Sequence, residues 1–506
     1  MYKKAVLIAS AILTIERPPP ALAVLSGICE HNNIDYDIFD LNIFLLEKFG
    51  TERWEKVANI FASLSEINHD DKELISEVNQ ALDLAVTTVL NYTPDLISVS
   101  SFSVMQIPWT RRFLEKLRGQ TNAIIIAGGP GISYEQETST TAGKILAKNN
   151  LLDYYVLGEG DKSFDEFLKG NITLGVNHKD SNFENWVPQI DNLDSVILPT
   201  YKKINYSWYR SQLADSAPEI AITGSRGCVR NCTFCDVAHN WKKFRFRSAK
   251  SIVDEMVKHY HEVKCLNYFF TDSLINGSMK QFIEVMESLI KLQNSLPDLK
   301  KLKYSGQFII RPKQHHPEHV FQLLSDSGCD RLEIGIESGS ERVREHIGKK
   351  FSNDDIDHHL SMSEKYKIKN HILMFTAYPT ETLADHQETI NFFKRNQKYL
   401  INNTIIGTNL NSPVQILKNT PLDRMRDDPG IEIFNMEYAN MSNWVSKTNP
   451  ELTLAERWRR YIELVKLTTK LKYKRATLDL TLIDLNIADL QKMNKLTQQG
   501  KLKNEC

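Results

Sequence analysis

What the chain does not contain narrows it first. No stretch of its 506 residues approaches the ~20 continuous apolar positions that a membrane-spanning helix needs. Neither sign of charge is in excess, with 62 Lys and Arg against 63 Asp and Glu, so no global field draws the chain onto nucleic acid or an anionic membrane. Proline and glycine are sparse, at 17 and 22, which excludes collagen-like and long disordered segments. The first residues carry two lysines and a short apolar run, followed by Glu16, Arg17 and three prolines instead of a leader's longer apolar core and cleavage site. They read as a first strand, and the chain is expected to be cytoplasmic. Cysteine is scarce too: seven, at 29, 228, 232, 235, 265, 329 and 506, of which only three are close together. That is no disulfide framework. Clustered cysteines in a reduced chain bind metal or do redox chemistry, and the other four read as small buried hydrophobes.

What is present is a globular composition, 42% hydrophobic and 25% charged. At about one domain per 100–200 residues it predicts two or three units. Residues 1–170 alternate short apolar strands with helices, the pattern of a parallel sheet covered on both faces. The strands are expected at 5–10, 36–40, 96–100, 123–127 and 154–157, with a mostly helical insertion at 44–90. Small residues follow several of them: Ser100-Ser101, Gly128-Gly129-Pro130-Gly131 and Gly158-Glu159-Gly160. Ligands of open α/β sheets sit beyond such carboxyl ends, although each of these turns taken singly reads first as a tight turn. Residues 171–217 lack periodicity and read as a linker. From 218 to 420 a second series runs through six strand and helix repeats, indicating an open, partial barrel with its site at the carboxyl face. Residues 421–506 read as largely helical with a charged tail.

The three close cysteines lie in Gly224-Ser225-Arg226-Gly227-Cys228-Val229-Arg230-Asn231-Cys232-Thr233-Phe234-Cys235, just after the first strand of the second series. The spacing C-x3-C-x2-C can hold three irons of a [4Fe-4S] cube, and the lack of a nearby fourth cysteine leaves one iron open. An open position is what separates a reactive metal site from a structural one. Two alternatives stay open on spacing alone. Zinc would need a fourth ligand, for which His239 is the nearest candidate, and an electron carrier would need a fourth cysteine.

This segment resembles the signature of the radical S-adenosylmethionine (SAM) superfamily, with the aromatic Phe234 before its last cysteine. The resemblance extends over roughly residues 219–422. Asp272 and Asn276 follow the second strand, Arg311 closes the third, and the fourth reads Leu332-Glu333-Ile334-Gly335-Ile336-Glu337-Ser338, with Lys349 downstream. It implies a SAM site formed by Phe234, Asp272, Asn276, Arg311, Glu337 and Ser338. It also implies one-electron reduction of the sulfonium to give a 5′-deoxyadenosyl radical, with electrons from an external donor of flavodoxin or ferredoxin type. One departure stands out: where many relatives have G-x-P-G-E-T after the fifth strand, this chain has Ala377-Tyr378-Pro379-Thr380-Glu381-Thr382. The missing glycines put adenine contacts there in doubt.

The first 170 residues resemble the cobalamin-binding domain that precedes the barrel in one radical SAM subfamily. The implied fold is a Rossmann-like unit, a partial (β/α)6 TIM-type barrel and a helical C-terminal region. Cobalamin would meet Ser100, Ser101, Gly128, Gly129, Gly158, Glu159 and Gly160. The D-x-H-x-x-G loop of other cobalamin proteins is missing, as many subfamily members also lack it. The resemblance implies C-methylation of a small-molecule substrate. The alternatives are a cobalamin-free first domain with another radical reaction, such as rearrangement or methylthiolation, and a non-catalytic iron–sulfur electron-transfer protein. The basic and aromatic run Lys242 to Arg247 can bind single-stranded nucleic acid, but is read as a strand edge. His315-His316 and His358-His359 point apart on a helix and make poor metal sites.

Overall fold

The computed structural model describes residues 2–12, 15–61, 71–134, 140–172, 175–181, 183–205, 209, 218–425, 430–433 and 444–474. The rest of the expected linker and the tail with Cys506 lie outside them. The chain divides into two compact units, Met1–Ala221 with Glu255–Cys265, and Ile222–Asp254 with Leu266–Cys506.

In the first unit the strands are β1 (Lys4–Ala9), β2 (Asp35–Asp40), β3 (Leu96–Ser100), β4 (Ile124–Gly128), β5 (Tyr154–Val156) and β6 (Val176–Asn177). They form a Rossmann-like sheet in the order β2-β1-β3-β4-β5-β6. All pairings are parallel except β5 with the short β6, which sequence reading missed. β1 is apolar along its length because both of its faces are covered. The insertion is a pair of helices, Leu41–Asn59 and Lys72–Asn91. The first breaks at Gly50, where φ is +74°. The second is capped by the Asp71 carboxylate, which accepts from Leu74 N at 2.9 Å. It buries Leu74, Val78, Leu82, Val86 and Val89 along one stripe, each worth about 1.5–3 kcal/mol relative to exposure.

The stretch read as a linker packs onto this unit. Val187 N donates to Leu157 O at 2.9 Å and Thr200 N to Ala23 O at 3.0 Å. A Cβ on Gly27 would stand 2.3 Å from Leu198 O, so only glycine fits there. Tyr201 is fastened by a buried polar knot on the helix Ala249–Val263: its hydroxyl donates to Ala221 O, and Glu262 accepts from Thr200 Oγ1 and Tyr201 N. His259, fully buried, lies 3.2 Å from Glu255 Oε1 and 3.6 Å from Glu262 Oε2.

β7 (Ile220–Ile222), where the chain passes into the second unit, leads into a small hairpin, β8 (Ser225–Arg226) with β9 (Arg245–Phe246). β10 (Asn267–Phe270), β11 (Lys303–Phe308), β12 (Cys329–Glu337), β13 (Lys369–Thr376) and β14 (Ile405–Pro413) follow in parallel. The sheet order β14-β13-β12-β11-β10-β7 leaves two edges, as a partial barrel must. The run at Lys242 to Arg247 is absorbed by the hairpin: Arg247 is buried and donates to Thr223 O at 3.0 Å. The region after residue 420 is less helical than expected. It contains an antiparallel pair, β15 (Ile431–Ile433) and β16 (Trp444–Ser446), before the helix Leu454–Lys470. Trp444 donates its indole N–H to Val414 O at 3.1 Å and so ties this pair to the end of β14.

The knot at His259 gives a pH-dependent expectation. Burial alone would lower its pKa, but the hydrogen bond with Glu255 and the nearby Glu262 carboxylate hold it above the ordinary value. Glu262, which burial would raise, is held down to about 2 by His259 and Lys258. A base with a raised folded-state value stabilises the fold below its unfolded value near 6.5, and that contribution is lost as pH rises through the folded value. His259→Ala is expected to cost about 1–3 kcal/mol near pH 6 and to flatten the decline of Tm with rising pH. A variant that melts with the wild-type slope contradicts this.

Candidate metal and cofactor site

The cysteine loop leaves β8 through Gly227, whose φ is +89° and whose Cβ would stand 2.6 Å from Lys243 O. Only glycine meets both conditions. Beyond it the loop is held by backbone contacts: Thr233 N donates to Ile347 O at 2.9 Å, and Leu422 N to Thr233 O at 2.7 Å. Cys232 is buried among Val343, Ile347, Phe375, Ala377 and Tyr378. The Phe234 ring meets Phe375 edge-on at 5.0 Å. Phe234 therefore wedges the loop against the end of β13.

Cys228 and Cys235 are half-buried and Cys232 is buried. Burial raises all three thiols, Cys235 to about 12, while the positive charges of Lys349 and Arg230 pull Cys228 and Cys232 back down. Among the described residues no three His, Cys, Asp or Glu side chains converge on one point as a single ion requires. Thiolates that each take a separate iron of a cube are spaced more widely, and an all-sulfur donor set beside a cation fits an anionic iron–sulfur centre.

That cation is Lys349. Its ammonium is buried, donates to Glu337 Oε1 at 3.0 Å and to Gly335 O at 3.0 Å, and lies in the field of Cys232 and Cys235. Burial would lower its pKa, but the negative groups around it outweigh that and raise it. Glu337 reaches the pair from a left-handed backbone, φ +69°, at an irregularity in the β12–β13 register. A Cβ on Gly335 would sit 2.3 Å from Glu337 Oε1 and 3.0 Å from Lys349 Nζ. The glycine of the Gly335-Ile336-Glu337-Ser338 run is thus space for an ion pair.

The other expected SAM residues also sit at the carboxyl ends of strands. Asp272 Oδ2 accepts from Gly224 N at 2.8 Å, anchoring the start of the loop, and burial pushes its carboxyl up to about 7. Arg311 donates to Asn276 O at 2.7 Å and Gly277 O at 3.0 Å. Its Nε is buried without a partner, and burial and the like charge of Arg230 both lower its pKa. Asn276 and Ser338 are occupied otherwise. Asn276 is fully buried and exchanges hydrogen bonds with the backbone of Ile309. The Ser338 hydroxyl accepts from Ser340 N at 3.2 Å and lies 3.4 Å from Thr389 Oγ1, turned toward the helix Leu383–Arg395.

In the first unit the residues expected to meet cobalamin lie at the carboxyl ends of β3, β4 and β5, and several serve the chain itself. Gly131 N donates to Ser101 O at 2.9 Å, and a Cβ on Gly129, φ +103°, would stand 2.5 Å from the same oxygen. The buried Glu159 carboxylate accepts from Ile190 N at 3.2 Å. Gly128 and Gly160 are half-buried and Gly158 is exposed. Beside Ser100 and Ser101 the apolar Phe102 and Met105 are 64% and 41% exposed.

Sequence reading missed Arg230 as a cation of the site, the seating of Lys349 against the thiols, and a set of contacts from the 454–470 helix. Arg230 was legible, since it lies inside the cysteine spacing. The helix carries no motif.

Residues 222–393 match the family model of the radical SAM superfamily. The chain is 25% identical over 350 residues to an uncharacterized methyltransferase of Pyrococcus horikoshii, covering 66% of this chain and 72% of that protein. Its fold is similar to the radical SAM methyltransferase TsrM of Kitasatospora setae, solved with tryptophan and a SAM analogue. That likeness has a TM-score of 0.64 at 16% identity over 98% of this chain and 96% of the other. OxsB, a cobalamin-dependent SAM radical enzyme, gives 0.62 at 15% identity over 99% and 71%. At such identities the likeness establishes the fold. No helix among the described residues is long and apolar enough to cross a membrane.

The crowding at Gly335 is directly testable. Gly335→Ala is expected to push Glu337 off Lys349 and to destabilise the chain by about 1–3 kcal/mol, read as a lower urea midpoint. An unchanged midpoint would mean that the pair has room to spare.

Proposed function

Since the chain carries a radical SAM barrel behind a Rossmann-like unit, we propose that it is a cobalamin-dependent radical SAM enzyme that methylates a carbon of a small-molecule substrate. The observation that carries this is the set of Cys228, Cys232 and Cys235, with no fourth cysteine in their loop, held at the carboxyl ends of the barrel strands beside the buried Lys349. When bound there, a cluster with one open iron supplies an electron to the sulfonium of SAM, and cobalamin supplies the methyl group.

The chain's own residues have separable tasks. The three thiolates hold the irons. Lys349 offsets negative charge in a site that water reaches poorly. Arg311 and Arg230 offer cations suited to the carboxylate of SAM. Phe234, Asp272 and Glu337 fix the loop and the pair around it, while Asn276 and Ser338 act one layer behind. In the first unit Ser100, Gly128, Gly158 and Gly160, at the carboxyl ends of β3, β4 and β5, would meet the corrin. Electrons would come from an external flavodoxin or ferredoxin type of donor in the cytoplasm. Methyl transfer is supported by the names of the relatives in Pyrococcus horikoshii and Kitasatospora setae.

A second reading keeps the radical chemistry and gives the first unit only a substrate-binding role. It is favoured by Gly129, Ser101 and Glu159, which the fold already uses.

Anaerobic reconstitution with iron, sulfide and hydroxocobalamin separates the two readings. The wild type is expected to take up about four irons per chain, retain cobalamin through gel filtration, and release 5′-deoxyadenosine from SAM under dithionite. Cys228→Ala with Cys232→Ala should abolish both iron uptake and cleavage. Cobalamin in the flow-through of an iron-loaded protein would leave only the second reading, and iron retained by the double variant would sink both.

A further inference from the structure

We infer that Arg460, on the helix 454–470, is a positioning residue for the cysteine loop, acting through Glu381 and the loop 377–382. The inference rests on the proposed function for its chemical meaning, since it is that reading which puts a cluster on Cys228, Cys232 and Cys235.

The loop after β13 is where the chain departs from the glycine-bearing pattern of its relatives, and the structure shows what replaces the glycines. Ala377 takes a left-handed backbone, φ +61°, although it carries a Cβ and is fully buried. Such a conformation is unfavourable for a residue with a Cβ and persists only where surrounding contacts impose it. Here Glu381 supplies one from within the loop, and Glu381 is itself held from outside it. Glu381 Oε2 accepts from Ala377 N at 3.0 Å, and Glu381 Oε1 lies 3.0 Å from Arg460 Nη1. The same guanidinium nitrogen donates to Glu381 O at 2.9 Å and to Thr382 O at 3.3 Å. Asn449 Nδ2 donates to Pro379 O at 3.1 Å and Glu381 O at 3.0 Å.

From the clamped loop the contacts continue to the cysteines. Tyr378, 1% exposed, packs with Cys232 and Phe375. Its hydroxyl donates to His346 O at 3.3 Å and lies 2.9 Å from Thr233 Oγ1, so Thr233 donates to it. Thr233 stands between Cys232 and Phe234. A shift of 377–382 therefore moves the hydroxyl and the ring that seat the middle of the cysteine loop.

The Arg460–Glu381 pair is almost wholly buried, at 3% exposure on each side. Desolvation makes such a pair a poor source of net stability. A role in selecting one loop conformation accounts for it better. Burial also keeps the Glu381 carboxyl up at about 7 even with Arg460 beside it.

Amide hydrogen exchange on the full chain without added cofactors tests this directly. Arg460→Met should speed exchange in peptides over 377–382 and 228–235 by roughly tenfold, with the strand segment 332–336 unchanged. Arg460→Lys, which restores the charge but not the contacts to both carbonyls, should recover part of the protection. Asn449→Ala, which buries no unpaired charge, should act in the same direction if Arg460→Met fails to fold. After reconstitution, the SAM concentration that half-saturates the change in the reduced cluster's EPR spectrum should rise by roughly tenfold in Arg460→Met. Faster exchange confined to 377–382, with 228–235 and the SAM titration unmoved, overturns the inference. Wild-type protein that takes up no iron overturns the proposed function instead, and the exchange result still decides the positioning role.

Discussion

The buried ion pair of Lys349 with Glu337 is the constraint around which the second unit is arranged. An ammonium taken out of water must find compensating negative charge or lose its proton. Lys349 finds it in Glu337, in the Gly335 carbonyl and in the field of the thiols. Each partner then restricts something else. Glu337 can reach only from a left-handed backbone at a break in the β12–β13 register, and position 335 can carry no side chain. The residues just before Lys349 hold the cysteine loop through Ile347 O. Charge compensation, a glycine, a distorted strand end and the seat of three cysteines are thus parts of one solution.

Much of this was legible in the sequence because the signals are local. Apolar runs bounded by helical stripes gave the parallel sheets, and β2 and β3 lie within a residue of where their apolar runs put them. The cysteine loop was legible because its three cysteines lie within eight residues of one another. The cation beside it was visible only as a downstream lysine, since its partner sits twelve residues earlier on another element. Residues 176–204 lacked a periodic signal for a physical reason. They are strapped to the first unit by single backbone bonds and a buried polar knot, and neither imposes a repeat on the sequence.

Glycine was the least transparent signal. Gly129 and Gly335 both occur in motif-like runs at strand ends, and a ligand-facing role was an expectation for Gly129 alone. In the structure both make room for the protein's own atoms, Ser101 O in one case and the Glu337 carboxylate in the other. A glycine at a carboxyl end therefore reports close approach without identifying what approaches.

The loop after β13 carries the same argument a step further. Glycine lets a backbone take a left-handed turn at little cost, and a chain without it must hold that turn from outside. Ala377 is held through Glu381, and Glu381 through a guanidinium 79 residues further along the chain. The substitution of side-chain contacts for backbone freedom has a structural consequence. The conformation of the loop, which a glycine would make a local property, becomes dependent on the docking of the 454–470 helix. The region that carries no recognisable motif thereby becomes part of what shapes the site, and its sequence is constrained by contacts that no local pattern in it records.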